Sequence, residues 1–178
     1  FALAAAALPL AASAQKVVPA GSEIAFTVKQ MGVPVDGKFK KWDAQVVFDP
    51  KKPEAGKVSL ALDTASAGFG VAETDVEIPK PVWFNSAKFP QATFTSTAIK
   101  AAGPGKYSVA GKLAIKGSTR DVTVPVTLAA AGGNSVATGA FTIKRLEFKI
   151  GEGEWADTSM VADEVQVKFK LVLSGLAL

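Results

Sequence analysis

Three carboxylates stand close together late in the chain: Glu152 and Glu154 flank Gly153, and Asp157 follows Trp155 by two positions. Carboxylates beside an aromatic ring are what a glycosidase uses, one as acid and the other as base or nucleophile. On a strand a spacing of two would put Glu152 and Glu154 on one face. A glycine-rich loop would instead leave both solvated as an ordinary charged loop. Lys116 and Ser118, separated by Gly117, have the residue types of a Ser/Lys nucleophile pair; the glycine marks a turn, where polar residues are expected without catalysis. Arg145 ends a run whose alternate positions, Phe141 and Ile143, are apolar. At the mouth of a barrel its fork of N–H donors could hold a phosphate, a quinone oxygen or a phenol. An Arg145 paired to Glu147 or Asp121 would be structural instead, because a buried guanidinium must be paired in either case.

Absent residues narrow the chemistry further. The 178 residues include no His and no Cys. That removes imidazole and thiol from the menu of metal ligands, activated nucleophiles and neutral-pH bases, so neither a metal nor a cofactor is expected. The 20 basic and 16 acidic side chains give a formal charge of +4, and the lysines are scattered singly. No basic block follows a phosphate backbone, which argues against nucleic acid. The mild positive charge allows transient contact with an anionic membrane surface.

Residues 1–14 are uncharged, mostly Ala and Leu, and end in Ala12-Ser13-Ala14. This pattern predicts the apolar core and small-residue cleavage site of a secretory signal. The run is too short for a membrane anchor, which needs about 20 helical residues. Residues 15–178 are then expected to be one domain.

What must position these side chains is a set of strands, because the rest of the chain alternates apolar and polar residues between Gly, Pro and Asn turns. Ile24, Phe26 and Val28 share one face of the first run. In the second, residues 35–49, Phe39 lies on one parity and Trp42, Ala44, Val46 and Phe48 on the other, which predicts a bulge or bend near Lys40 and Lys41. Residues 57–64 form a third strand. A crossover of about 25 residues, 65–90, is too long to be structureless; Thr74 is placed to cap a short helix that Pro79 and Pro81 stop. A meander follows over 91–101, 106–116, 119–129, 135–148 and 163–174. The total is eight antiparallel strands, and their length and single large crossover favour a barrel over a sandwich. Such a barrel either fills its interior or holds one elongated ligand. Eleven Phe and three Trp, with small Gly111 and Ala92 where bulk is expected, suit an apolar tunnel.

Several segments in order, Ser22 to Lys29, Gly37-Lys38-Phe39, Trp83 to Thr97, Gly111 to Val122 and Phe141 to Gly151, resemble the YceI-like family. The resemblance implies an all-β, eight-stranded antiparallel lipocalin-like barrel with a short helix in the crossover. It also implies a periplasmic location, a homodimer in some members, and non-enzymatic binding of a long isoprenoid, either a polyprenyl phosphate or a quinone-type lipid. Many relatives carry a His where this chain has Gln30. By strand parity the tunnel-facing residues are Phe26, Phe39, Phe94, Leu113, Ile115, Phe141, Ile143 and Phe169, with Arg145 for the head group. The alternatives are a hydrolase using Glu152, Glu154 or Asp157, and an interaction barrel with a filled core.

Overall fold

The computed structural model describes residues 15–176 and Leu178. The expected secretory signal, residues 1–14, lies outside the described residues. Ten strands form a single antiparallel sheet in the order β3-β4-β6-β7-β8-β9-β10-β1-β2-β5. They are β1 (Lys16–Gln30), β2 (Val33–Phe39), β3 (Trp42–Val47), β4 (Lys57–Asp63), β5 (Ala67–Gly68), β6 (Gln91–Gly103), β7 (Lys106–Ile115), β8 (Ser118–Ala131), β9 (Asn134–Lys144) and β10 (Val161–Ser174).

Ten strands replace the expected eight because two long strands are each broken by a bend. β2 and β3 are the halves of the run with the parity flip, and the break falls at Lys40 and Lys41. β4 and β5 are separated by a 3-10 turn, Thr64–Ser66. The two bends pack side by side: Lys40 N–H donates to Ser66 O at 3.2 Å, Asp63 N–H to Lys41 O at 3.0 Å, and Lys41 N–H to Ser66 Oγ at 3.0 Å. β2 also pairs with β1 and β5, and β3 with β4. The two ends of the sheet order are therefore joined through one bent hairpin, which curls the sheet around an interior. A backbone bridge between Gln15 and Val46 adds a second tie, with Gln15 Nε2 donating to Phe48 O at 3.0 Å.

The crossover differs in detail from its expected form. Its helix, α1, is Ala72–Asp75, preceded by Val71 with no side-chain cap. Thr74 lies inside it. The carboxylate of Asp75 instead accepts from the backbone N–H groups of Phe69 at 2.7 Å and Gly70 at 3.2 Å. That contact fastens the helix to the end of β5, a tie that capping patterns do not describe.

Burial along β10 reports on the interior. Val165 and Leu171 are buried at 8% and 4% exposure, yet Val167 and Phe169, on the same inward parity between them, are only half-buried. Inward residues that retain exposure at mid-strand mark a hollow rather than a filled core.

Candidate ligand-binding cavity

The hollow is a cavity of about 680 Å³ running through the barrel. Its size falls in the range of small-molecule sites, which are mostly apolar with a few polar groups. Phe26 on β1, Phe39 on β2 and Phe94 on β6 all line it. So do Leu113 and Ile115 on β7, Phe141 and Ile143 on β9, and Phe169 on β10. The parity reading placed these eight side chains inward, and the structure does the same.

Space survives in an interior so rich in phenylalanine because three of the rings lie flat against glycine. Phe26 pairs with Gly37 across β1 and β2, and Phe169 with Gly139 across β10 and β9. Phe94 covers Gly111 on β7. A methyl group on Gly37, Gly111 or Gly139 would approach the Cζ atom of its ring to 2.5 Å. Each glycine thus lets a large apolar ring act as wall covering instead of projecting into the lumen. Sequence reasoning noticed Gly111 alone, since the pairing of a glycine with a ring on another strand depends on register.

The crossover supplies a lid. Phe69, Ile78, Trp83 and Phe84 from this segment reach the cavity. A run of edge-to-face rings joins lid to wall: Phe69 to Phe26 at 5.4 Å, Phe26 to Phe39 at 5.5 Å, and Phe39 to Phe84 at 6.1 Å between centroids. Trp83 meets Trp155 at 5.6 Å, joining two aromatics that stand far apart in sequence.

The two ends of the cavity differ. One is sealed by the buried cluster Val46, Leu128, Ala137, Leu171 and Leu173. At the other, lining residues reach the surface: Met31 is 77% exposed and Met160 42%. Glu73, Thr74 and Glu77 are also exposed there, with Gln30 partly so. Met31 N–H donates to Met160 O at 2.8 Å, holding the β1–β2 turn against the loop before β10. None of these polar residues was singled out from sequence as a cavity residue: Glu73, Thr74 and Glu77 sit on or just after a short helix, where periodicity carries little signal, whereas Gln30 ends β1 on the parity of Ile24, Phe26 and Val28 and could have been read from it.

Arg145 lines the cavity but cannot serve as the head-group ligand expected of it. Its exposure is 1%. Nε donates to Ala162 O at 3.0 Å, Nη1 to Ile150 O at 2.9 Å and Gly151 O at 3.2 Å, and Nη2 to Trp155 O at 2.6 Å and Val161 O at 2.7 Å. All five N–H donors of a guanidinium are thereby committed. The structural reading holds, with backbone carbonyls in place of Glu147 or Asp121. Burial lowers the Arg145 pKa and the charge of Asp163 partly offsets this. Trp83 lies 6.0 Å from the guanidinium. Arg145 therefore gathers the 3-10 turn Arg145–Phe148, residues 150–155 and the start of β10 into one rigid corner.

The loop carboxylates are occupied elsewhere. None of Glu152, Glu154 and Asp157 lines the cavity. Glu152 Oε1 accepts from Lys116 Nζ at 2.9 Å, and that hydrogen bond, then the lysine's charge, lowers the Glu152 pKa. Lys116 sits with φ 51° beside Gly117 with φ 78°, the left-handed pair of a tight hairpin turn. Its buried ammonium also donates to Lys149 O at 2.7 Å. Asp157 accepts from the hydroxyl and backbone N–H of Ser159 at 2.6 and 2.9 Å, and these bonds, hydroxyl first, lower its pKa. Glu152 and Asp157 are thus engaged by neighbouring residues outside the cavity. Among the described residues, no group of three or more His, Cys, Asp and Glu is placed to hold a metal ion.

Comparison with known proteins agrees with this architecture. The model of the YceI-like domain matches residues 15–173. A UPF0312 protein of Yersinia pestis is 40% identical over 110 residues, 61% of this chain and 57% of that protein. One from Pseudomonas savastanoi is 37% identical over 103 residues, 57% of this chain and 54% of that protein. The chain thus matches little more than half the length of these curated relatives. The crystal structure of BcnA from Burkholderia cenocepacia is 48% identical and superposes with a TM-score of 0.85, covering 88% of this chain and 99% of that one. A polyisoprenoid binding domain from Saccharophagus degradans shares the fold at a TM-score of 0.73 with 14% identity, covering 92% and 99%. By the extent of the domain match and the agreement in fold, the chain belongs to the YceI-like family.

Proposed function

We propose that this protein is a non-enzymatic carrier that holds a long isoprenoid lipid in its barrel and acts in the periplasm in transport, storage or sequestration. One observation carries the reading: an apolar cavity of about 680 Å³, kept open by phenylalanine rings laid over glycines. Apolar space of this size is not a by-product of packing, because interiors otherwise fill to near crystal density. The similarity in fold to a polyisoprenoid binding domain supports the choice of ligand class. The secretory pattern of residues 1–14 supports the location.

Energetics favour a long ligand over a short one. Each buried methylene contributes about 0.8 kcal/mol, whereas association costs about 4–15 kcal/mol before net affinity appears. A short acyl fragment does not overcome that cost, but several isoprene units do, without any catalytic group. The test is organic extraction of the protein purified from its host, followed by mass spectrometry. Co-purified isoprenoid is the expected result. An empty protein that also takes up no polyprenol would contradict the reading.

A further inference from the structure

We infer that the cavity discriminates by head-group charge, accepting isoprenoids with an uncharged head group and disfavouring their phosphates. This rests on the lipid-binding reading above and specifies its substrate class. The sealed end is apolar, so the tail enters first and the head group stays at the exposed end, beside Gln30, Glu73, Thr74 and Glu77. Among the described residues, three that line the cavity are charged: Glu73, Glu77 and Arg145. Arg145 has no N–H left to donate. Glu77 accepts from Lys80 Nζ at 2.6 Å, and Lys80 does not itself line the cavity. Glu73 adds a second carboxylate at the opening.

A phosphate held at this opening therefore meets carboxylates and finds no free cation among the lining residues. Recognition of a phosphate ordinarily relies on a guanidinium or ammonium that can donate to it. A hydroxyl or quinone oxygen needs no counter-charge, and Gln30 and Thr74 offer both donors and acceptors to it. The chain's overall charge of +4 works the other way at long range, so the preference is a property of the opening and not of the molecule's field.

The experiment compares a polyprenol with the polyprenyl phosphate of the same chain length, by displacement of a fluorescent apolar probe at low and high salt. A phosphate and a neighbouring carboxylate repel as like charges, which changes affinity by roughly tenfold, and salt reduces the change. The expected result is a polyprenol that binds about tenfold tighter at low salt. The gap should narrow at high salt and in the double variant Glu73→Gln, Glu77→Gln, through a gain in affinity for the phosphate. Equal binding of the two lipids, or tighter binding of the phosphate, overturns the charge discrimination and leaves the lipid-binding reading standing. If neither lipid binds, both fall together.

Discussion

The two ends of this barrel solve the same problem by different chemistry. At the sealed end, Val46, Leu128, Ala137, Leu171 and Leu173 close the interior by apolar contact alone. At the open end, closure is polar: one buried guanidinium collects five carbonyl oxygens from residues 150–162, and the Trp83–Trp155 contact rests beside it. Apolar packing is non-directional and leaves nothing to open. A hydrogen-bonded corner fixes irregular backbone while leaving the adjacent rim, with Met31, Met160 and Glu73, facing solvent. The difference explains how a chain with no disulfide can keep one end shut and the other receptive.

The largest effect should come from the polar corner. Replacing Arg145 by Ala leaves several buried carbonyls without donors, at roughly 1–3 kcal/mol for each group left unpaired. A loss on the order of 4 kcal/mol in denaturant unfolding is expected, together with a change in tryptophan emission as Trp83 and Trp155 separate. Arg145→Lys should rescue little, because an ammonium cannot span the same fork of acceptors. A near-neutral Arg145→Ala would mean that the corner is held by something else.

At the sealed end, Leu171→Ala should cost about 2–4 kcal/mol through lost burial and the space left behind. It should enlarge the cavity and, in a Trp42→Phe background because Trp42 packs on this cluster, leave the emission of Trp83 and Trp155 unchanged. Should emission change as much as in the Arg145 variant, the two ends are not independent.

Smaller again is Gly139→Ala, which drives a methyl group into the Phe169 ring and toward Pro125 O at 2.6 Å. Overpacking of this kind costs about 1–3 kcal/mol. Its more telling consequence is a ring pushed into the lumen, so probe binding should weaken by more than the stability loss explains. Unaltered probe affinity would show that the glycine pairing does not set the width of the cavity.

The smallest effect is at the Lys116–Glu152 pair. The folded-state pKa of Glu152 is lowered, so the pair's stabilisation is present above the ordinary carboxylate range and is lost as pH falls through the depressed folded value. Glu152→Gln should therefore lower neutral-pH stability slightly, as expected for an exposed carboxylate, and flatten the acid limb of the profile, with the two proteins converging at low pH. A large loss at neutral pH would instead assign the pair a role in holding the open end.

Strand content could be read from the chain because alternation has a period of two and each turn carries Gly, Pro or Asn. Even the bend at Lys40 and Lys41 showed itself, as a change of parity between Phe39 and Trp42. The splitting of residues 57–68 into β4 and β5 did not, since the bend depends on Ser66 contacting a strand distant in sequence. The inward parity of Phe26, Leu113 and Phe169 followed from the same alternation. The fate of Arg145 could not, because its acceptors are backbone carbonyls, which every residue possesses and no side-chain pattern identifies. The glycine-backed rings were hidden for a related reason: Gly139 and Phe169 are neighbours only once β9 and β10 are in register.

The decisive measurement is affinity against tail length. A series of polyprenols of increasing isoprene number, titrated with Trp83 and Trp155 in the lining as intrinsic reporters, should bind tighter with each added unit and then level off when the cavity is full. Each buried methylene is worth about 0.8 kcal/mol and an isoprene unit adds five carbons, so the rise should be on the order of a hundredfold or more per unit. Affinity that ignores tail length would contradict the proposal that the hollow interior is where the ligand resides.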